Sequence, residues 1–262
     1  MAMIHLNYPS AALGMNTDVN IILPDLPGGA LIPAGQRYQT LYLLHGAYGD
    51  YSDWCRKTAI ERYAQERCLA VIMPSCGNSF YQDMLHGPQY KTFLLSELPG
   101  YLNSMLPLSP KREDTFIAGL SMGGYGALHL ALSRPERFAA AASLSGMLSF
   151  SALARQTDTK PWPLMAITGP LSADAIERSK RNAVVQARRL LARGIPLPAL
   201  FLSVGTEDFT LQFNRTGVRK LRDLGVALTY EEHPGGHTWQ YWDTHILRAL
   251  DWMPLKRQLV RQ

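Results

Sequence analysis

Long apolar runs are missing from this 262-residue sequence, and so are repeats, charge blocks and Gly/Ser linkers. No stretch approaches the roughly 20 apolar residues needed to span a bilayer, so no membrane segment is expected. Charged residues make up only 18% of the chain against 47% apolar, which excludes a disordered chain and supplies a large core. Cysteine is scarce: Cys55, Cys68 and Cys76, an odd number without C-x-x-C spacing. That argues against a disulfide scaffold or a zinc ribbon and suits free thiols in a reducing cytoplasm. No basic segment followed by an apolar one opens the chain, so a cytoplasmic location is expected. The net charge of +5 is scattered over small clusters such as Lys180–Arg181, Arg188–Arg189 and Lys256–Arg257. A nucleic-acid binder would need a denser stripe with interleaved aromatics, so none is expected. One domain over 1–262 is the resulting expectation.

What is present is a rhythm. Residues 2–8 and 18–23 alternate apolar and polar around a turn at Pro9-Ser10 and read as an antiparallel edge pair. Strands are then expected at 40–44, 69–74, 115–120, 139–144, 200–204 and 227–231. Helices are expected at 54–67, 90–105 (with Pro99 a possible interruption), 122–133, 179–193, 213–224 and 238–253. Such alternation means a mostly parallel sheet with an antiparallel N-terminal edge and helices on both faces, an α/β fold. Ligands on such sheets bind beyond the C-terminal ends of the strands. The rhythm breaks over 147–175, which carries Pro161, Trp162, Pro163, Gly169 and Pro170. A stretch this irregular in a compact domain is usually functional. It reads as a cap-like insertion covering the site through Trp162, Leu164 and Met165.

Gly119-Leu120-Ser121-Met122-Gly123 fits G-x-S-x-G between a strand and a helix. A sharp strand-to-helix turn brings the residues two before and two after the serine together, and glycine removes both Cβ atoms. The turn lifts the Ser121 hydroxyl above the sheet and leaves the Met122 N–H at a helix N-terminus, facing a developing oxyanion. No Lys follows the glycines as a phosphate loop requires. Ser121 needs a base, and in this chain order an acid and then a histidine follow it. His237 sits in Pro234-Gly235-Gly236-His237-Thr238-Trp239, a flexible strand-to-helix loop, whereas His245 falls inside a helix and reads as structural. The acid ends the strand before it, in Gly205-Thr206-Glu207-Asp208-Phe209. Asp208 is preferred because Gly-x-x-Asp leaves loop enough to turn toward the histidine, with Glu207 the alternative. His233 and His237 have a spacing that binds zinc on a helix, but Pro234, Gly235 and Gly236 intervene, and no metal or cofactor is expected. His45-Gly46-Ala47, after an early strand, offers the Ala47 N–H as a second oxyanion donor. Trp54, Phe80, Tyr81, Trp162, Phe209 and Trp239 are candidate pocket aromatics, each equally suited to the core.

Taken together, several segments resemble the esterase D / tributyrin esterase family of α/β-hydrolases, which includes S-formylglutathione hydrolases, bacterial feruloyl esterases and, more distantly, mycolyltransferases. They are Tyr42-Leu43-Leu44-His45-Gly46, Ser79-Phe80-Tyr81-x-Asp83, Gly119 to Ala127, Gly205 to Phe209 with Asn214, and Gly235-Gly236-His237-Thr238-Trp239 with Trp242-Asp243. The resemblance implies a triad of Ser121, Asp208 and His237, settling Asp208 over Glu207, with oxyanion donors at Ala47 and Met122. It implies a serine carboxylesterase acting on short-chain acyl or aryl esters through an acyl-enzyme, with acetylated or feruloylated carbohydrate as substrates to consider, and a homo-oligomer, dimer or tetramer. Rival readings are a formylglutathione-type thioesterase, an acyltransferase, and a non-catalytic binding protein on the same fold.

Overall fold

The computed structural model describes residues 1–26, 29–30, 32–155 and 163–256. An antiparallel hairpin opens the chain, β1 (Ala2–Ser10) and β2 (Met15–Leu23). Its turn lies at 11–14 rather than at Pro9-Ser10: both of those residues still pair across the hairpin, and the Gly14 N–H closes the turn on the Ser10 carbonyl. There follow β3 (Gln39–Leu44), α1 (Asp53–Lys57), α2 (Ile60–Glu66) and β4 (Leu69–Pro74). Next, α3 (Tyr90–Thr92) runs through a π-helical turn, Phe93–Glu97, into α4 (Leu98–Met105). Then come β5 (Thr115–Leu120), α5 (Met122–Ser133), β6 (Ala140–Leu144), α6 (Leu164–Thr168) and α7 (Ala173–Arg178). The chain continues through α8 (Ala183–Leu191), β7 (Ala199–Gly205), α9 (Leu211–Asp223), β8 (Thr229–His233) and α10 (Trp239–Trp252).

The eight strands form one sheet in the order β1-β2-β4-β3-β5-β6-β7-β8. The pairs β1–β2 and β2–β4 are antiparallel and the rest parallel, so β3 to β8 end at the same edge. This is the α/β-hydrolase fold. Alternation along the strands sends side chains to two cores. Tyr42, Leu44, Ile72, Ile117 and Leu202 face a core closed by α3 to α9. Leu41, Leu43, Val71, Phe116 and Phe201 face another closed by α1, α2 and α10. Among the described residues no helix is long and apolar enough to cross a membrane.

Two expected helices and the irregular stretch differ in detail from expectation. The stretch 54–67 is two helices, because Thr58 is extended and its hydroxyl accepts the Ile60 N–H. The stretch 179–193 is helical only from Ala183, where the Asn182 side chain caps the Val184 N–H. The irregular stretch 147–175 includes a 3₁₀ turn at Leu153–Arg155 as well as α6 and α7.

Candidate active site

Five adjacent strands deliver the predicted residues to one edge. β3 ends before His45-Gly46-Ala47, β5 before Ser121, β6 before Ser145, and β7 before the loop of Asp208; β8 ends before the loop of His237. Ser121 has φ 52° and ψ −117°, strained for a residue with a Cβ. The turn leaves no room at either glycine: a Cβ on Gly119 would lie 2.5 Å from the Gly123 backbone, and one on Gly123 would lie 2.5 Å from the carbonyl oxygens of Leu44 and His45. Tyr48, Phe80, Tyr81 and Ser145 also have positive φ, so backbone strain gathers around this edge.

The structure brings Ser121, His237 and Asp208 into one hydrogen-bonded line. His237 Nε2 is 2.9 Å from Ser121 Oγ, and His237 Nδ1 is 2.9 and 3.1 Å from the two Asp208 oxygens. The carboxylate only accepts, which assigns the proton to Nδ1 and leaves Nε2 to accept the serine hydroxyl. The Asp208 side chain is fully buried and that of His237 is 21% exposed. Burial pushes the Asp208 carboxyl up, but hydrogen bonds from His237, the Thr210 N–H and Ser145, with the field of His237, outweigh it and hold the group below its ordinary range. Thr210 donates to Oδ1 through its N–H at 2.7 Å and its hydroxyl at 2.8 Å, and Asn214 holds the Thr210 carbonyl at 3.0 Å. Glu207 turns away, accepting from the Thr206 hydroxyl and the Gly235 N–H.

Among the described residues no acceptor takes the N–H of Ala47 or of Met122. Gly46 lies close beneath the elbow, since a Cβ there would meet the Leu120 side chain at 2.5 Å. His45 is buried and fixed: its Nδ1 donates to the Gly46 carbonyl at 2.6 Å and its Nε2 accepts the Cys76 N–H at 2.9 Å. Burial lowers its pKa, partly offset by the Gly46 hydrogen bond.

A cavity of about 70 Å³ opens beside Ser121, lined by Phe80, Met122, Tyr125, Ser145, Met147, Leu153, Phe209 and Thr210. Of the aromatics expected to line it, Phe80 and Phe209 do. Phe209 is 69% exposed and its ring lies 4.5 Å from that of His237. Tyr81 and Trp54 are instead buried supports of the Ala47 loop. The Tyr81 hydroxyl donates to the His45 carbonyl at 2.6 Å and the Trp54 indole to the Leu44 carbonyl at 3.1 Å, because a buried aromatic N–H or O–H must find an acceptor. Trp239 packs edge-on against Trp54 and Trp242 and does not line the cavity. Trp162 lies outside the described residues. Leu164 is buried in the core and Met165 is 65% exposed; neither lines the cavity, whereas Met147 and Leu153 of the same insertion do.

Ser145, Thr210 and Tyr125 were not singled out in the sequence. The position of Ser145 just past a strand beside the nucleophile strand, and the Asp-x-Thr spacing of Thr210, are the signals that mark them. Among the described residues one group of metal-ligating side chains comes together: Glu231, His233 and His245. Both Glu231 oxygens accept from Arg248, at 2.7 and 3.0 Å, and His245 Nδ1 is 3.1 Å from the Ser203 hydroxyl, so these groups already have partners and a guanidinium would oppose a cation.

Comparison with known proteins gives a consistent picture. The family described as Esterase matches residues 10–253. An acetyl esterase of Caldicellulosiruptor saccharolyticus is 34% identical, over 97% of this chain and 98% of that protein. FphF, a fluorophosphonate-binding serine hydrolase of Staphylococcus aureus solved with substrate bound, superposes with a TM-score of 0.90 at 36% identity, covering 96% of this chain and 98% of that one. The S-formylglutathione hydrolase FrmB of Staphylococcus aureus superposes with a TM-score of 0.84 at 35% identity, covering 96% and 98%.

Proposed function

The chain belongs to the esterase family of α/β-hydrolases that includes S-formylglutathione hydrolases and feruloyl esterases, and from that premise we propose that Ser121, His237 and Asp208 carry its reaction on short-chain acyl esters. It is a serine-hydrolase-type esterase acting on small acyl or aryl esters through an acyl-enzyme. His237 Nε2 takes the Ser121 proton as Oγ attacks the ester carbonyl. The N–H groups of Ala47 and Met122 receive the oxyanion. The C–O bond to the alcohol breaks, and the alcohol leaves with the proton from His237. Water then gives its proton to the same nitrogen and attacks the acyl carbon; Ser121 Oγ leaves and regains the proton. Asp208 keeps the imidazole in the tautomer this requires and stabilises the imidazolium without taking its proton.

The observation that carries the assignment is the unbroken line from Ser121 Oγ through His237 to the buried Asp208. The test is hydrolysis of p-nitrophenyl acetate by the wild type and Ser121→Ala, with folding of both checked. The variant is expected to lose about 10⁴-fold or more in kcat. Equal rates would remove Ser121 as the nucleophile. A formyl or acetyl thioester is the second reading, favoured by the small cavity beside Ser121 and by likeness to a solved S-formylglutathione hydrolase. A higher kcat/KM for S-formylglutathione than for the oxygen ester would put it first.

A further inference from the structure

A larger cavity than the one beside Ser121 opens among the helices. It lies at the far end of α5, has a volume of about 540 Å³, and is lined by Lys91, Lys180, Arg189 and Arg193 over a floor that includes Ser133 and Gln186. Its size falls in the range of about 300–1,000 Å³ typical of small-molecule sites. α5 runs twelve residues from Ser121 to this end, which at about 1.5 Å per residue places the cavity roughly 18 Å from the elbow. It is a separate site.

Its charge is one-sided. The cations come from three segments: the start of α3, the loop before α8, and α8 with the turn beyond it. Among the described residues no Asp or Glu lines the cavity. Several other surface cations are paired with carboxylates, as in Arg134–Glu136, Arg215–Glu232 and Arg248–Glu231. Among the described residues none of these four has a carboxylate partner. Lys91 is half-buried; burial first, then Lys180, Arg181 and Arg134, lower its pKa, with Asp83 acting the other way. The floor adds no negative charge. Ser133 Oγ donates to Gln186 Oε1 at 3.1 Å, and Gln186 Nε2 donates to His129 Nδ1 at 2.7 Å. Burial, reinforced by Lys91 and Arg181, lowers the pKa of His129 to about 3, so it is neutral. The partial negative charge at the C-terminal end of α5, about half a unit, is a small counterweight to four cations.

We infer that this groove binds a small organic polyanion, one carrying at least two phosphate or carboxylate groups. Four cations from three segments exceed what one monoanion neutralises. Arginine forks and lysine ammonium groups suit phosphate and carboxylate oxygens alike. Such a ligand would tie α8 to the start of α3 and the end of α5, which makes it an effector or an anchor rather than the ester being cleaved. This inference is independent of the chemistry at Ser121.

The test is titration calorimetry on the full chain at low ionic strength with two probes, inorganic tripolyphosphate and citrate, against sodium chloride at matched ionic strength. At least one probe is expected to bind saturably with one site per chain. Lys180→Gln/Arg189→Gln/Arg193→Gln replaces exposed side chains. It is expected to weaken that binding at least about tenfold while Tm and p-nitrophenyl acetate hydrolysis stay at wild-type values. Lys91→Gln, made separately, is expected to weaken it by about the factor of one lost charged hydrogen bond, roughly tenfold. Binding of tripolyphosphate alone assigns a phosphorylated ligand, and of citrate alone a polycarboxylate. No binding above matched salt, or equal binding by wild type and triple variant, overturns the site.

Discussion

Glu207 and Asp208 are adjacent carboxylates in one turn, and side-chain direction divides their work. Asp208 points inward to His237 and the Thr210 N–H, whereas Glu207 braces the loop before His237 by accepting the Gly235 N–H. Asp208→Asn is therefore expected to reduce kcat by about 10⁴-fold by presenting the wrong tautomer, with KM little changed. Glu207→Gln, which keeps an acceptor oxygen, is expected to stay within about tenfold of wild type. Steady-state kinetics on one ester, for both variants side by side, checks the pair; equal losses would mean that both carboxylates serve the histidine. The residues alone preferred Asp208 on loop length without excluding Glu207, because direction is fixed by Thr210 and Asn214, and only the family resemblance settled the preference. Ser121 and His237 stood out because their neighbours, the glycines, are demanded by backbone sterics that a sequence displays. Trp54 and Tyr81 did not reveal their work, since a buried aromatic with one polar atom looks alike beside a substrate and beneath a loop. Ser145 also supports the core beneath the site, since its Oγ accepts the buried Trp242 indole N–H at 3.1 Å. Ser145→Ala leaves that donor unpaired and is expected to cost about 1–3 kcal/mol in urea unfolding.

Elements were legible where their pattern is local and hidden where a distant partner decides. The strands 69–74 and 115–120 and the helix 122–133 match their sequence reading to the residue, because continuous apolar runs and a glycine-rich turn bound them. The helix expected over 54–67 breaks at Thr58, and the Ala59 N–H freed there is taken up by Asp243, which lies 184 residues later on α10. No local periodicity contains that. The irregularity of 147–175 points to Trp162, Leu164 and Met165 as cavity residues; Trp162 lies outside the described residues, and Met147 and Leu153 line the cavity where Leu164 and Met165 do not. The chain enters the site as it leaves β6, and Ser151 Oγ bonded to Glu177 at 2.7 Å holds the turn of Leu153 in place. With only about 70 Å³ beside Ser121, Leu153 sets a ceiling on the acyl group. Leu153→Ala is expected to raise kcat/KM for hexanoate relative to acetate by about tenfold or more, the value of one or two methylenes gaining a pocket. Rates on a series of p-nitrophenyl esters measure the ratio, and an unchanged ratio would place the acyl chain elsewhere.

At the scale of the molecule, the sheet separates two cores and three neutral histidines are enclosed with them. His45, His129 and His245 are each at most 4% exposed. Burial lowers all three pKa values: His129 to about 3, reinforced by Lys91 and Arg181, and His245 to about 4, reinforced by His233 and Arg248. In the unfolded chain an imidazole titrates near about 6.5. Below that pH the unfolded state binds protons that the folded state refuses, so stability falls as pH falls. The loss runs from about 6.5 down through the folded values, by up to about 1.4 kcal/mol per pH unit for each histidine. The carboxylates act later: Asp208 and Asp114 have lowered folded pKa values, so their contribution is complete above the ordinary carboxylate range of about 4 and is lost as pH falls through the folded values. The interval between pH 6.5 and 4.5 therefore isolates the histidines. Urea midpoints at pH 7.5, 6.5, 5.5 and 4.5 are expected to hold between the first two and then drop with an unchanged m-value. His129→Gln, which removes the titrating group but keeps a partner for Gln186, is expected to make that drop shallower by about one proton's share, whatever it does to absolute stability. A midpoint that stays flat to pH 4.5 would mean that these imidazoles take up protons equally in the folded and unfolded chain, and that burial does not keep them neutral.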